Sequence, residues 1–286
     1  MYSLVRLLKV IKKIISSFID YLRPFIRKKE YQKFALYYSR GTTLIDHIAR
    51  TKIYEPEVSH FIVSILQLFT GTPVFVDVGA SIGLITLNVL AELPQTLIYA
   101  FEPGPHQYSL FKKTIEANNL IDRVILYNEA LSSQLDSSLF AVHDTKHSSG
   151  DGFLFTGRAK SAQYISVDCQ TLDNWWEINN KKNFNLIKID TEGSELMILQ
   201  GAKKAIENCK PIIVLEIWPK NLKVYPYGVE DILSWFDEQN YNVYTLNGHI
   251  VNSFNIGTYF GSCDTFVGCP ISKKNMLKGN LSKIMN

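Results

Sequence analysis

Apolar residues recur at helical spacing where the chain begins. Leu4, Leu8, Ile11, Ile15, Phe18 and Leu22 form one stripe, with Lys9, Lys13, Ser16 and Asp20 on the opposite face. Pro24 ends this helix, and the pattern predicts a second one over residues 29–38 that reaches Gly41. Val58, Phe61, Ile62, Ile65, Leu66 and Phe69 predict a third, stopping near Gly71. Beyond it the rhythm changes to short, almost wholly apolar runs at residues 74–78, 96–101, 123–128, 185–189 and 212–217. Helical patterns over 84–93, 108–118 and 194–207 separate them. Strands that alternate with helices of about ten residues specify an α/β fold, a doubly wound and mostly parallel sheet. Runs without alternation mark strands buried on both faces.

One stretch interrupts the alternation. Residues 131–184 are far longer than an ordinary connection, and contain two further strand patterns, 138–142 and 162–167, around a polar loop at 143–152. A helix begins within residues 171–177. The chain divides into a basic helical extension (1–53), a main domain (54–270) carrying this insertion, and a polar tail (271–286).

Composition narrows the class. With 46% apolar residues and a net charge of only +3 over 286 residues, disorder is excluded as the main state. No apolar run approaches the roughly 18–20 residues of a membrane span. Cys169, Cys209, Cys263 and Cys269 form no Cys-x-x-Cys pair and no dense framework, which fits a reducing, cytoplasmic location. The charge is uneven: residues 1–52 hold twelve Lys and Arg against Asp20, Glu30 and Asp46. Lys9, Lys12 and Lys13 interrupt the apolar stretch and argue against a signal peptide. Two readings of residues 4–22 stay open: a helix packed on the main domain, or a peripheral one lying on an anionic membrane. Nucleic acid is not an expected partner, because the basic cluster has no interleaved aromatic stacking positions and no reader motif.

The chemistry begins at the first strand of the main domain. Val76-Asp77-Val78-Gly79-Ala80-Ser81-Ile82-Gly83 couples a strand to a glycine turn and a helix. Glycine lets a ligand approach the backbone, and a helix start offers free N–H groups. Glu102 ends the second strand in Phe101-Glu102-Pro103, where a carboxylate can accept both hydroxyls of a ribose. The Gly-x-Gly-x-x-Gly spacing of nicotinamide sites is absent, which moves the expected ligand toward S-adenosylmethionine, a nucleoside without a pyrophosphate.

With these elements in place, the chain resembles the FkbM family of class I S-adenosylmethionine-dependent methyltransferases, from Tyr54-Glu55-Pro56-Glu57 to about Pro219. The resemblance rests on the glycine turn, on Phe101-Glu102-Pro103, and on Asn128-Glu129-Ala130-Leu131. The most particular block is Ile187-Lys188-Ile189-Asp190-Thr191-Glu192-Gly193-Ser194-Glu195, followed by Leu199-Gln200-Gly201-Ala202. The resemblance implies a seven-stranded Rossmann-like methyltransferase sheet and methylation of a hydroxyl on a sugar of a glycan, glycolipid or natural product. It implies that Asp77, Gly79, Ala80, Ser81 and Gly83 shape the cofactor turn, that Glu102 and Pro103 lie at the ribose, and that Asn128 and Ala130 lie beside the adenine. The basic N-terminal fifty residues match nothing general in the family.

Methyl transfer to a hydroxyl needs alignment and a proton acceptor. Ligands in such sheets sit beyond the carboxyl ends of the strands, which brings Asp190, Glu192 and Glu216 forward as catalytic residues. Asp190 or Glu192 could be the general base. Asp190 and Glu216 could instead share a divalent cation, magnesium or manganese, that lowers the acceptor's pKa. Glu192 and Glu195 could also simply cap backbone N–H groups at the next helix. His143 and His147, with Asp144 and Asp151, have a spacing that could suit a metal but fits an ordinary polar loop; His147 could also face the substrate. His106 could line the pocket, while His47, His60 and His249 read as surface or core residues. Trp175, Trp176 and Trp218 read as core or as a platform for a sugar ring. The competing functions are a non-catalytic scaffold on the same fold and a nicotinamide-dependent oxidoreductase. Intact turn and ribose residues disfavour the first, and glycine spacing the second.

Overall fold

The computed structural model describes residues 26–143, 150–157, 161–262 and 264–277. The stripe at residues 4–22, Asp144, His147, Cys263 and most of the polar tail lie outside the described residues. The described chain opens with an antiparallel hairpin, β1 (Ile26–Tyr31) and β2 (Phe34–Ser39), followed by α1 (Thr43–Thr51) and α2 (Pro56–Leu66). Then come β3 (Val74–Val78), α3 (Leu84–Glu92), β4 (Leu97–Phe101), α4 (Pro105–Ala117) and β5 (Val124–Tyr127). The insertion supplies β6 (Ala130–Leu131), β7 (Asp136–Val142), β8 (Gln163–Gln170) and α5 (Leu172–Ile178). The last third holds β9 (Leu186–Ile189), α6 (Glu195–Gln200), α7 (Lys203–Cys209), β10 (Ile212–Glu216), α8 (Pro219–Leu222) and α9 (Val229–Glu238). It closes with β11 (Tyr241–Thr245), β12 (Ile250–Val251) and β13 (Thr265–Pro270).

Eight strands make the central sheet, in the order β12-β11-β13-β10-β9-β3-β4-β5. The five from β10 to β5 run parallel, and β13 is antiparallel to both β10 and β11. The expected seven strands are present, and the two-residue β12 adds an eighth at the edge. The chain moves outward from β3 to β5 on one side and from β9 to β10 on the other. The crossover between β3 and β9 therefore opens a crevice at their carboxyl ends. Alternate strand residues feed two cores, one holding Phe75, Ile98, Leu186 and Val214, the other Val76, Phe101, Ile187 and Leu215. Trp175 and Trp176 are buried in the second core, where Trp175 packs edge-on against Tyr99 and Phe101, so neither is a sugar platform.

Two expectations are corrected here. The helix expected over residues 29–38 is the β1–β2 hairpin. Gln32, at φ 56°, makes the turn, and Phe34 and Leu36 are buried while Ala35 and Tyr37 are half-exposed, a period of two. Helix α4 supplies the hydrogen bonds this strand needs: Ala35 N–H donates to Asn118 Oδ1 at 2.8 Å and Tyr37 N–H to Thr114 Oγ1 at 3.0 Å. The single helix expected over 194–207 is two, α6 and α7, broken at Gly201. A Cβ there would stand 2.0 Å from the Ser132 carbonyl oxygen, so the insertion's backbone packs directly on the break.

Candidate functional site

The turn after β3 is held from below. The N–H groups of Gly79 and Ala80 both donate to the Phe101 carbonyl at 3.1 Å. Gly79 and Gly83 have φ of 76° and 87°, in the left-handed region that glycine adopts without strain. Their missing Cβ atoms make room for protein rather than for a ligand. A Cβ on Gly79 would lie 2.0 Å from the Asp190 carbonyl oxygen, and one on Gly83 would lie 2.2 Å from the Phe111 ring. The glycine turn and the Asp-x-Glu-Gly block, about 110 residues apart in sequence, thus touch backbone to backbone.

Glu102 is buried, and its carboxylate accepts from Ser81 N–H and from Gly104 N–H, each at 2.7 Å. Burial pushes its pKa up to about 7; those two N–H bonds oppose the rise, while Asp151 and Asp77 add to it. Asn128 donates from Nδ2 to the carbonyls of Glu102 and Pro103, at 2.9 and 3.1 Å, and so fixes the loop that carries them. Ala130 is buried in β6, paired with Cys169 of β8. Asp77 is fully enclosed, with Oδ2 accepting from Thr86 Oγ1 at 2.7 Å, and burial raises its pKa against the pull of Lys188. Asp77 Oδ1 and Ser81 Oγ are buried beside the turn without a hydrogen-bond partner.

Lys188 organises the acids. It is a charged residue inside an apolar parallel strand, 4% exposed, and its Nζ donates to Asp190 Oδ2 at 2.9 Å. Burial alone would lower its pKa; Asp190, Asp77 and Glu55 outweigh burial and raise it, so the ammonium stays charged. Glu55, at the start of α2, has φ 43° and ψ 66°, a left-handed conformation unusual for a side-chain-bearing residue, and its side chain does not cap the helix. Burial and the nearby Asp190 raise its pKa to about 7, against the opposing Lys188.

The loop bearing Glu55 is clamped by the hairpin. Tyr31 OH donates to Asn88 Oδ1 at 2.5 Å and accepts from Tyr54 N–H at 2.8 Å. Asn88 Nδ2 donates to the Tyr54 carbonyl at 3.1 Å and to Ser59 Oγ at 2.8 Å, and Ser59 Oγ donates to the same carbonyl at 2.9 Å. Both backbone groups of Tyr54 are thereby fixed.

Two hollows meet at the end of β9. A small one of about 50 Å³ lies against the glycine turn and is lined by Asp77, Gly79, Ala80, Ser81, Lys188 and Asp190. A cleft of about 620 Å³ lies on the other side, with Glu55, Asp190, Glu216, His47, His249 and Asp264 among its walls. Lys188 and Asp190 line both. Oxygens of Asp190, Glu192 and Glu216 lie within 4.8 Å of one another, a set that could hold a hard divalent cation. Glu192, buried and at φ 61°, accepts from Asn221 Nδ2 at 2.7 Å. Glu195 does what a capping residue does: its Oε1 accepts from Thr191 N–H at 3.0 Å and Gly193 N–H at 3.1 Å.

The structure brings Asp77, Gly79, Ala80, Ser81, Asp190 and Glu216 to this junction, with Glu102 just beneath the turn. Asn128 fixes the loop of Glu102 and Pro103, Ala130 pairs within the insertion's sheet, and none of Asn128, Pro103 and Ala130 lines either hollow. His106 is bonded to Ser39 and Trp218 lies under Lys220. His143 pairs with Asp151 at 3.0 Å, and Gln107 Nε2 donates to the other Asp151 oxygen at 2.7 Å. The sequence reading missed Glu55, Lys188, His47 and His249. Lys188 carried the clearest signal there, as a charge within the apolar run at residues 185–189. The other three come from α1, the start of α2 and the β11–β12 turn, which only the fold assembles.

Residues 77–243 match the Methyltransferase FkbM domain. Methyltransferase 1 of Beauveria bassiana is 30% identical over 141 residues, covering 44% of this chain and 57% of that protein. The 2-O-methyltransferase NoeI of Sinorhizobium fredii is 24% identical over 162 residues, covering 52% and 65% respectively. The crystal structure of Methyltransferase FkbM from Methylobacillus flagellatus superposes with a TM-score of 0.45 at 17% identity, over 72% of this chain and 47% of that one. The matched part of this chain spans less than two thirds of each of these three proteins.

Proposed function

The chain belongs to the FkbM methyltransferase family, and from that premise we propose that it transfers the methyl group of S-adenosylmethionine to a hydroxyl oxygen of a sugar-like small molecule or glycan. The observation that carries this reading is the shared wall: Lys188 and Asp190 border both the hollow at the glycine turn and the large cleft. A donor on one side and an acceptor on the other would meet there. The name of the NoeI relative, a 2-O-methyltransferase, supports an oxygen acceptor.

The residues at the turn fit the donor. Asp77 Oδ1 and Ser81 Oγ are buried polar atoms without partners, a costly state that a polar ligand would relieve. Glu102 supplies a carboxylate whose oxygens each retain acceptor capacity for ribose hydroxyls. Bound there, S-adenosylmethionine supplies a methyl group already activated by the sulfonium. The chain's own task is to align the acceptor and take its proton.

Among the acids expected to do this, Asp190 is tied to the Lys188 ammonium and Glu192 to Asn221. We assign Asp190, held in place by Lys188, to orienting the acceptor, Glu216 to the far wall, and the proton to Glu55, whose pKa of about 7 suits a base at neutral pH. A second reading rests on the convergence of Asp190, Glu192 and Glu216: a magnesium or manganese ion there would acidify the acceptor hydroxyl.

The test is calorimetric titration with S-adenosylhomocysteine, followed by radiolabelled methyl transfer across a panel of hydroxylated acceptors. Micromolar binding, about −8 kcal/mol, is expected. Glu55→Gln should keep that binding and lower transfer by about 10²–10⁴-fold. A folded wild type that binds no S-adenosylhomocysteine overturns the function, full activity in Glu55→Gln moves the base elsewhere, and loss of transfer on chelation establishes the cation.

A further inference from the structure

The large cleft has a charge character that restricts what can enter it. Among the described residues, five carboxylates line it, those of Glu55, Glu57, Asp190, Glu216 and Asp264, against the single ammonium of Lys188. Even with Glu55 protonated, three negative charges remain in excess among these lining groups. Lys188 is buried at the floor and committed to Asp190, so its ammonium is not presented to an incoming anion. His47 and His249 are the only other basic side chains among the described lining residues. The remaining polar lining is hydroxyl and amide, from Thr51, Thr245, Asn247, Tyr259, Ser262 and Thr265, with no arginine and no exposed lysine among the described lining residues.

Phosphate and carboxylate recognition uses arginine forks, lysine ammoniums or helix N-termini. The one helix start on this wall, that of α2, carries Glu55 and Glu57 and is already occupied by negative charge. A concave site with one sign of charge focuses its field into the cavity and discriminates by charge before contact.

We propose that the cleft admits uncharged or amine-bearing polyol acceptors and excludes phosphorylated and carboxylated ones. The substrate of the methyl transfer proposed above, on which this rests, is therefore a neutral or amino sugar unit presented without a nearby anionic group. A nucleotide-linked or diphosphate-linked sugar would reach this site only with its phosphates held outside the cleft.

The test uses the whole chain saturated with S-adenosylhomocysteine and three trisaccharide probes of equal length: maltotriose, a glucosamine trimer and a galacturonate trimer. Binding is read by calorimetry and by saturation-transfer NMR at low ionic strength. The neutral and amino probes should bind at least tenfold more tightly than the uronate, with the amino probe weakening most as salt is added. The double variant Glu57→Gln/Asp264→Asn, which touches neither the glycine turn nor the Lys188–Asp190 pair, should narrow that ratio severalfold. Equal or tighter binding of the uronate overturns the proposal, as does failure of both the neutral and amino probes to bind. S-adenosylhomocysteine affinity, measured on the same samples, reports separately on the methyltransferase reading.

Discussion

Replacing Lys188 by Met removes the cation around which Asp77, Asp190 and Glu55 are folded. The ammonium is 4% exposed and bonded to Asp190 at 2.9 Å. Breaking a buried pair by removing one partner costs about 3–5 kcal/mol, because the other charge is left uncompensated. At roughly 2–4 °C per kcal/mol for a chain of about this size, the melting temperature should fall by about 6–20 °C at pH 8. The loss should also depend on pH, and its sign follows from the carboxylates. Burial raises the folded-state pKa of Asp77, and burial with Asp190 raises that of Glu55 to about 7 from 4.5. An acid whose folded pKa lies above its unfolded value costs stability while ionised; the cost is full above the folded pKa and vanishes as pH falls through the unfolded one. Without Lys188 these pKa values rise further, so the deficit relative to wild type should shrink between pH 8 and pH 5. Urea unfolding of both proteins at the two pH values measures it. Adding Asp77→Asn to Lys188→Met should recover part of the deficit at pH 8. A deficit under 1 kcal/mol, or one unchanged with pH, would show that Lys188 does not neutralise these acids.

Glu102, with a folded pKa of about 7 raised chiefly by burial, should make S-adenosylhomocysteine binding weaken as pH falls from 8 to 6; Glu102→Gln should flatten that profile in calorimetry. Gly83→Ala should destabilise by about 1–3 kcal/mol in thermal denaturation, since its Cβ would stand 2.2 Å from the Phe111 ring at φ 87°. Tyr31→Phe deletes the hydroxyl that bonds Asn88 and Tyr54, and should cost about 1–3 kcal/mol in urea unfolding. Because Tyr54 precedes Glu55, the same variant should lower transfer while leaving S-adenosylhomocysteine affinity unchanged.

The alternation of strands with helices, and the burial of those strands, were legible because they depend on local patterns. A continuous apolar run such as Val74–Val78 can satisfy both faces only inside a sheet, and all five expected parallel strands are present. The glycine turn was legible because a short motif at a strand end fixes its own surroundings. The hairpin was not legible: the polar spacing of residues 29–38 suits either period, and what decides it is α4, whose Thr114 and Asn118 side chains complete the strand's hydrogen bonds.

The sequence by itself determined the α/β class, the glycine turn, the family and the acids at the ends of β9 and β10, since each rests on residues adjacent in the chain. Tertiary structure alone decided that Gly79 packs against the Asp190 carbonyl, that Lys188 neutralises acids from three elements, and that Glu55 faces the same cleft. The physical reason is that a carboxylate's charge and pKa are set by burial and by neighbours distant in sequence, and burial exists only after the chain has folded.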